Sequence, residues 1–80
     1  MYRLKYDPAA EAVHEALPAV ASEELALALS DACTDPLYAT IPYGEDDKYV
    51  RMILGEHTAA VILIGHTLKT VTVLQVTYLG

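Results

Sequence analysis

The final 32 residues, Tyr49 to Gly80, carry only three formally charged side chains, Arg51, Glu56 and Lys69. The rest of this stretch is rich in β-branched and aliphatic residues. It is cut by Gly55-Glu56-His57 and by Gly65 to Lys69, both short enough for hairpin connections. The pattern predicts three consecutive antiparallel strands, about Tyr49–Leu54, Thr58–Ile64 and Thr70–Tyr78. Thr58–Ile64 is apolar at odd and even positions alike, which suits a central strand covered on both faces.

The first 48 residues read differently. Tyr2, Leu4 and Tyr6 alternate with Arg3 and Lys5, the period of a half-buried strand. The basic face suits a sheet edge, where lysine discourages stray pairing. Asp7-Pro8 then starts a helix, with Asp7 as cap and Pro8 at the first helical position. Ala9, Val13, Ala16 and Leu17 form its expected buried stripe, with Glu11, His14 and Glu15 outward. Pro18 ends that helix or starts the next, expected over Ala19–Cys33. Leu25, Ala28, Leu29 and Ala32 have the spacing of its buried face, and Leu27 lies off it. Thr34-Asp35-Pro36 stops the helix. Leu37 to Lys48 reads as a loop. Leu25, Leu29, Val61, Leu63 and Val73 are the expected core. The fold class is α+β: one strand, a helical hairpin, then a three-stranded meander, in a single domain spanning 1–80.

Composition bounds the function. A domain of 80 residues buries only about 60–65% of its unfolded surface, so it is marginal alone. Its apolar fraction of 54% exceeds what a core of that size absorbs and points to a partner. Eleven carboxylates against five Lys and Arg give a formal charge of −6, an unfavourable field toward nucleic acid. Cys33 is the one cysteine, so an internal disulfide is excluded and a reducing compartment is expected. The N-terminus has no export-type apolar region. The longest run without Asp, Glu, Lys or Arg is 12 residues, His57 to Leu68, short of the ~18 a membrane span requires. A cytoplasmic location follows as the expectation.

The element order, with "YRLKYDPAAEAVHEALP", "ALALSDACTDP", "YVRMILGEHTAAVILIG" and "VTVLQVTYLG", resembles the RelE/ParE toxin superfamily of bacterial toxin–antitoxin systems. The resemblance covers the whole chain. It implies a cognate antitoxin as partner, or a second copy in a homodimer. A larger target such as DNA gyrase is implied by the ParE-like members, and the ribosome with its mRNA by the RNA-cleaving ones. Members that cut RNA place basic residues on the first and second meander strands and an Arg, His or Tyr at the end of the last. Here those positions hold Arg51, then Ala59-Ala60 where an arginine is common, then Tyr78. The resemblance is thus to a divergent member lacking most of the catalytic basic set.

Cleavage through a ribose 2′-hydroxyl needs a base, an acid and fixed positive charge for the transition state. Arg51 can supply charge, His57 or His66 can titrate near neutrality, and Tyr78 can orient or donate. The catalytic candidates are therefore Arg51, His57 and Tyr78. Beside this stand plainer readings: Arg51 as a strand arginine in solvent, the histidines as turn residues, and the tyrosines as amphipathic packing. Tyr38 and Tyr43, in the central loop, are candidate partner contacts. Glu45-Asp46-Asp47 lacks the ligand spacing of a calcium loop, Cys33 has no activating neighbour in sequence, and no metal or cofactor is expected. The function these features imply is a toxin-family domain, catalytically degenerate, acting through protein contacts. The alternative is a ribosome-dependent mRNA endonuclease with a reduced site.

Overall fold

The computed structural model describes residues 1–45 and 48–80. The chain runs β1 (Arg3–Tyr6), α1 (Pro8–Ala16), α2 (Ala19–Thr34), β2 (Ile41–Pro42), β3 (Val50–Leu54), β4 (Thr58–Gly65) and β5 (Thr70–Tyr78). One mixed sheet has the order β1-β5-β4-β3-β2. The expected meander is present as β3, β4 and β5, all antiparallel. Strand β1 pairs parallel with β5 at one edge, placing Arg3 and Lys5 where the alternation put them. The loop expected from 37 to 48 contains the additional strand β2, antiparallel to β3 at the other edge. A two-residue strand containing Pro42 has no periodicity to reveal it, and an edge is where a sheet accepts proline.

The helix starts follow local chemistry. The Asp7 carboxylate accepts the Ala9 N–H at 3.2 Å, and Pro8 opens α1. Leu17, held extended ahead of Pro18, closes α1, and Pro18 stands at the head of α2. In α2 the buried residues Leu25, Leu29 and Ala32 occupy the expected face, with Ala28 half-buried beside them and Leu27 turned to solvent. Helix α1 is rotated from expectation: Ala10 is its buried residue, and Ala9, Val13 and Ala16 are exposed. Its inward line is Ala10, His14 and Leu17, because it lies over β5 with His14 reaching both Tyr6 and α2.

The helices cover one face of the sheet. Leu25, Leu29 and Ala32 share a core with Ile53, Ala60, Ile62, Ile64, Val71, Val73 and Val76. Strand β4 is therefore two-sided in a way its composition hides. Thr58, Ala60, Ile62 and Ile64 are buried, whereas Ala59 and Val61 are half-buried and Leu63 is exposed. The expectation of cover on both faces is corrected, and Val61 and Leu63 leave the core. Both helices lie on one side of the sheet, so the other side has no helical cover. A bulge at Val61/Ile62 leaves Leu74 of β5 without a partner in β4 and adds local twist.

Burial predicts two contrasting substitutions. Leu29, with no exposed surface, should cost about 2–5 kcal/mol when changed to Ala. Leu63→Ala, on the uncovered face, should cost under about 1 kcal/mol. Urea unfolding of both variants checks the difference.

Candidate functional site

Directly paired residues share a face of a sheet, so register sorts the side chains of β3 to β5. Val50, Met52 and Leu54 pair with Leu63, Val61 and Ala59, while Arg51 and Ile53 pair with the core residues Ile62 and Ala60. Beyond β4 the uncovered face continues through Thr72, Gln75 and Thr77. No charged side chain stands on this face of the three central strands. Their single charged residue, Arg51, is on the helix side.

Arg51 is 8% exposed. Its Nε–H donates to Thr40 Oγ1 at 2.8 Å, and its Nη2 donates to the carbonyls of Thr40 at 2.7 Å and Leu37 at 3.0 Å. Thr40 Oγ1 in turn donates to the Pro36 carbonyl. The guanidinium thus gathers the segment that leaves α2 and fixes β2 against β3. The plainer reading of this residue, a strand arginine in solvent, is corrected: the side chain is buried and bound to backbone carbonyls.

The other candidates lie elsewhere. Tyr78 pairs with Thr58, four residues along β4 from the partner of Arg51, which is roughly 13 Å of strand. His57, in the β3–β4 turn, is next to Thr58, so His57 and Tyr78 share one end of the sheet and Arg51 does not join them. His66 sits at the opposite end of β4, where its Nε2–H donates to the Lys48 carbonyl at 2.7 Å and its ring meets the edges of Tyr49 and Tyr2. It ties the β4–β5 turn to the start of β3. Tyr38 is 90% exposed, and Tyr43 is exposed as well. Glu45 is exposed, and Asp46 and Asp47 of the same acidic run lie outside the described residues.

A groove of about 660 Å³ opens between the second half of α2 and the β2–β3 edge. Ala28, Ile41, Met52 and Leu54 supply apolar lining, Tyr38 stands on its wall, and Asp31 and Asp35 add carboxylates. Strand β2 begins opposite Met52, so on that edge Ile53 and Leu54 border the groove with no strand beyond them. Leu54 is 62% exposed, and it continues the groove into the uncovered sheet face. Sequence reading found Tyr38 but not Ile41, Met52 or Leu54, because nothing local distinguishes these from core residues.

A smaller cavity of about 270 Å³ is lined by Tyr6, Glu11, His14, Glu15 and Ser22. His14 Nε2–H donates to the Ser22 carbonyl at 3.3 Å, leaving Nδ1 to accept the Tyr6 hydroxyl at 2.8 Å. Burial, then the charge of Glu11 and the nearby Cys33, pushes the Tyr6 phenol up. Burial likewise pushes the Cys33 thiol up, which suits a packing role at the end of α2 and disfavours the nucleophilic thiolate.

With this geometry in hand, comparison with solved structures is informative. The isolated Escherichia coli RelE toxin superposes with a TM-score of 0.84 at 21% identity, over 98% of this chain and 84% of that one. The RelBE2 toxin–antitoxin complex of Mycobacterium tuberculosis gives 0.82 at 18%, over 96% of each chain. The archaeal RelE–RelB complex of Pyrococcus horikoshii gives 0.72 at 14%, over 99% and 96%. The fold is that of the RelE toxins. No protein-family model matches the sequence, and no curated protein matches it. The RelE likeness therefore resides in the arrangement of elements: strand, helical pair and meander in a mixed sheet. No helix among the described residues is long and apolar enough to cross a membrane.

Two predictions follow from these side chains. Removing Arg51 strips charge-assisted bonds from two carbonyls, so Arg51→Ala should lower unfolding free energy by about 2–4 kcal/mol, measured by urea denaturation. Tyr6 and Cys33 both favour their neutral forms in the fold. That stability is complete below their ordinary pKa values and is lost as pH rises through the raised ones. Thermal melts across alkaline pH should show a steeper loss for wild type than for the Tyr6→Phe/Cys33→Ala double variant.

Proposed function

We propose that this chain is a RelE-like toxin-family domain that has lost catalysis and acts through protein contacts, with an antitoxin-type segment as occupant of its groove. One observation carries the reading. The three central strands present no charge on the uncovered face, and Arg51, their one basic residue, is spent on holding the 36–42 segment. A phosphoryl-transfer site needs donors and cations aimed at the reacting phosphate. This face offers Val50, Met52, Leu54, Val61 and Leu63 instead, with Thr and Gln on β5.

Contiguous exposed apolar surface of this kind marks an interaction site. The groove suits an extended or helical segment with apolar anchors, and Asp31 and Asp35 favour basic residues flanking those anchors. The solved RelBE2 complex of Mycobacterium tuberculosis and the RelE–RelB complex of Pyrococcus horikoshii hold toxins of this fold with their antitoxins, which supports the same class of partner here. The acidic charge of −6 opposes the ribosome and mRNA as targets.

Inducible expression in a bacterial host, with transcript ends mapped, tests the loss of catalysis. Intact transcripts are expected. Cleavage on translating ribosomes that disappears in His57→Ala or Tyr78→Phe would overturn the proposal in favour of an mRNA endonuclease. Sedimentation of the purified chain then separates the protein partners. A monomer leaves the groove to an antitoxin, whereas a dimer that Leu54→Glu dissociates assigns the same face to a second copy.

A further inference from the structure

Glu24 lies on α2, and among the described residues it is the one carboxylate that is not exposed. It crosses to the β3–β4 turn, where its Oε1 accepts the His57 N–H at 3.1 Å. Gly55 makes this approach possible, since a Cβ there would collide with Glu24 Oε1. Glu56 and His57 follow directly in the turn. One donor atom from each of Glu24, Glu56 and His57 lies within 4.8 Å of the other two. Glu56 Oε2 and His57 Nε2 are 4.0 Å apart, too far for a hydrogen bond.

The imidazole is oriented from behind. His57 Nδ1 is 3.2 Å from the main-chain oxygen of Gly80. This oxygen only accepts, so Nδ1 carries the proton and the lone pair of the neutral ring is on Nε2, the nitrogen nearer Glu56. A carboxylate or backbone carbonyl oxygen that takes the rear N–H of a histidine is the usual outer support of a metal-ligating imidazole. The His57 backbone is fixed too, its carbonyl accepting the Leu79 N–H at 2.7 Å.

We propose that Glu24, Glu56 and His57 form a binding site for a divalent transition ion of the zinc class. One imidazole nitrogen and two carboxylate oxygens are ligand types that zinc takes, and three protein ligands leave a fourth position to water. Calcium, which takes six to eight oxygens, is not served by this set. Zinc–ligand bonds of about 2.0–2.2 Å require the donors to close by roughly an ångström. Glu56, 89% exposed, is free to make that movement, and Glu24 is already held to the His57 backbone. The ion links α2 to the β3–β4 turn and, through His57, to the end of β5. It staples a domain whose single core is small. Sequence spacing concealed the site, because Glu24 is 33 residues from His57.

The test is zinc titration of the full, untagged chain after chelator treatment, by calorimetry and thermal melting. One zinc per chain with a Kd of about 10 μM or tighter and a raised Tm is expected. Glu24→Gln keeps an oxygen for the His57 N–H yet loses the charged ligand. It and His57→Ala should each weaken zinc at least about tenfold, while His66→Ala leaves affinity unchanged. Glu56→Gln, at an exposed position, gives the same reading should either variant fail to show a folded far-UV spectrum. Cobalt(II) should give visible absorption in the wild type that Glu24→Gln loses. No saturable binding in wild type, affinity within twofold in Glu24→Gln and His57→Ala, or loss only in His66→Ala would overturn the site.

Discussion

Helix α2 seated on β4 and β5 is the contact from which the remainder of the structure follows. Leu25, Leu29 and Ala32 meet Ile62, Ile64, Val71 and Val73 in a core with almost no exposed surface. Each fully buried aliphatic side chain there contributes about 1.5–3 kcal/mol. Because α2 occupies only one side of the sheet, and α1 lies on that same side over β5, the other side is left without helical cover. Part of the apolar surplus of the composition, Leu54 and Leu63 with the half-buried Val50, Met52 and Val61, therefore lies on that open face.

The same choice of side determines what Arg51 does. Its position in β3 between Val50 and Met52 puts it beside Ile53 and opposite Ile62, so its guanidinium is driven beneath the helices. A buried cation must be paired or fully hydrogen-bonded. The chain meets this by bending the 36–42 segment so that the Leu37 and Thr40 carbonyls and the Thr40 hydroxyl converge on it. Strand β2 and the groove beside it are products of that arrangement. The residue with the strongest catalytic look in sequence thus shapes a groove from behind.

Much of the fold was legible. Asp7-Pro8, Leu17-Pro18 and Asp35-Pro36 marked helix ends because capping and proline act locally. The two hairpins were legible because short connections leave few alternatives. The face of α1 was misjudged because His14, read as outward, finds two partners from distant segments, Tyr6 and Ser22. Strand β2 was missed because two residues, one of them Pro42, carry no periodicity. Among the candidate residues, Tyr38 was found at the groove, whereas Glu24 looked like any helix carboxylate until the turn at Gly55 came within its reach.

By itself the sequence determined the order of elements, the period of each, and hence which side chains travel together on one face. Val50, Met52 and Leu54 had to point one way, and Arg51 and Ile53 the other. Only the tertiary structure decided which of these two sets the helices would cover. Both faces of β4 are apolar enough to be buried, and in β3 the position of Arg51 pointed to the face opposite the one the helices cover. The packing of α2 against Ile62 and Val73, a contact between segments far apart in the chain, settled the choice.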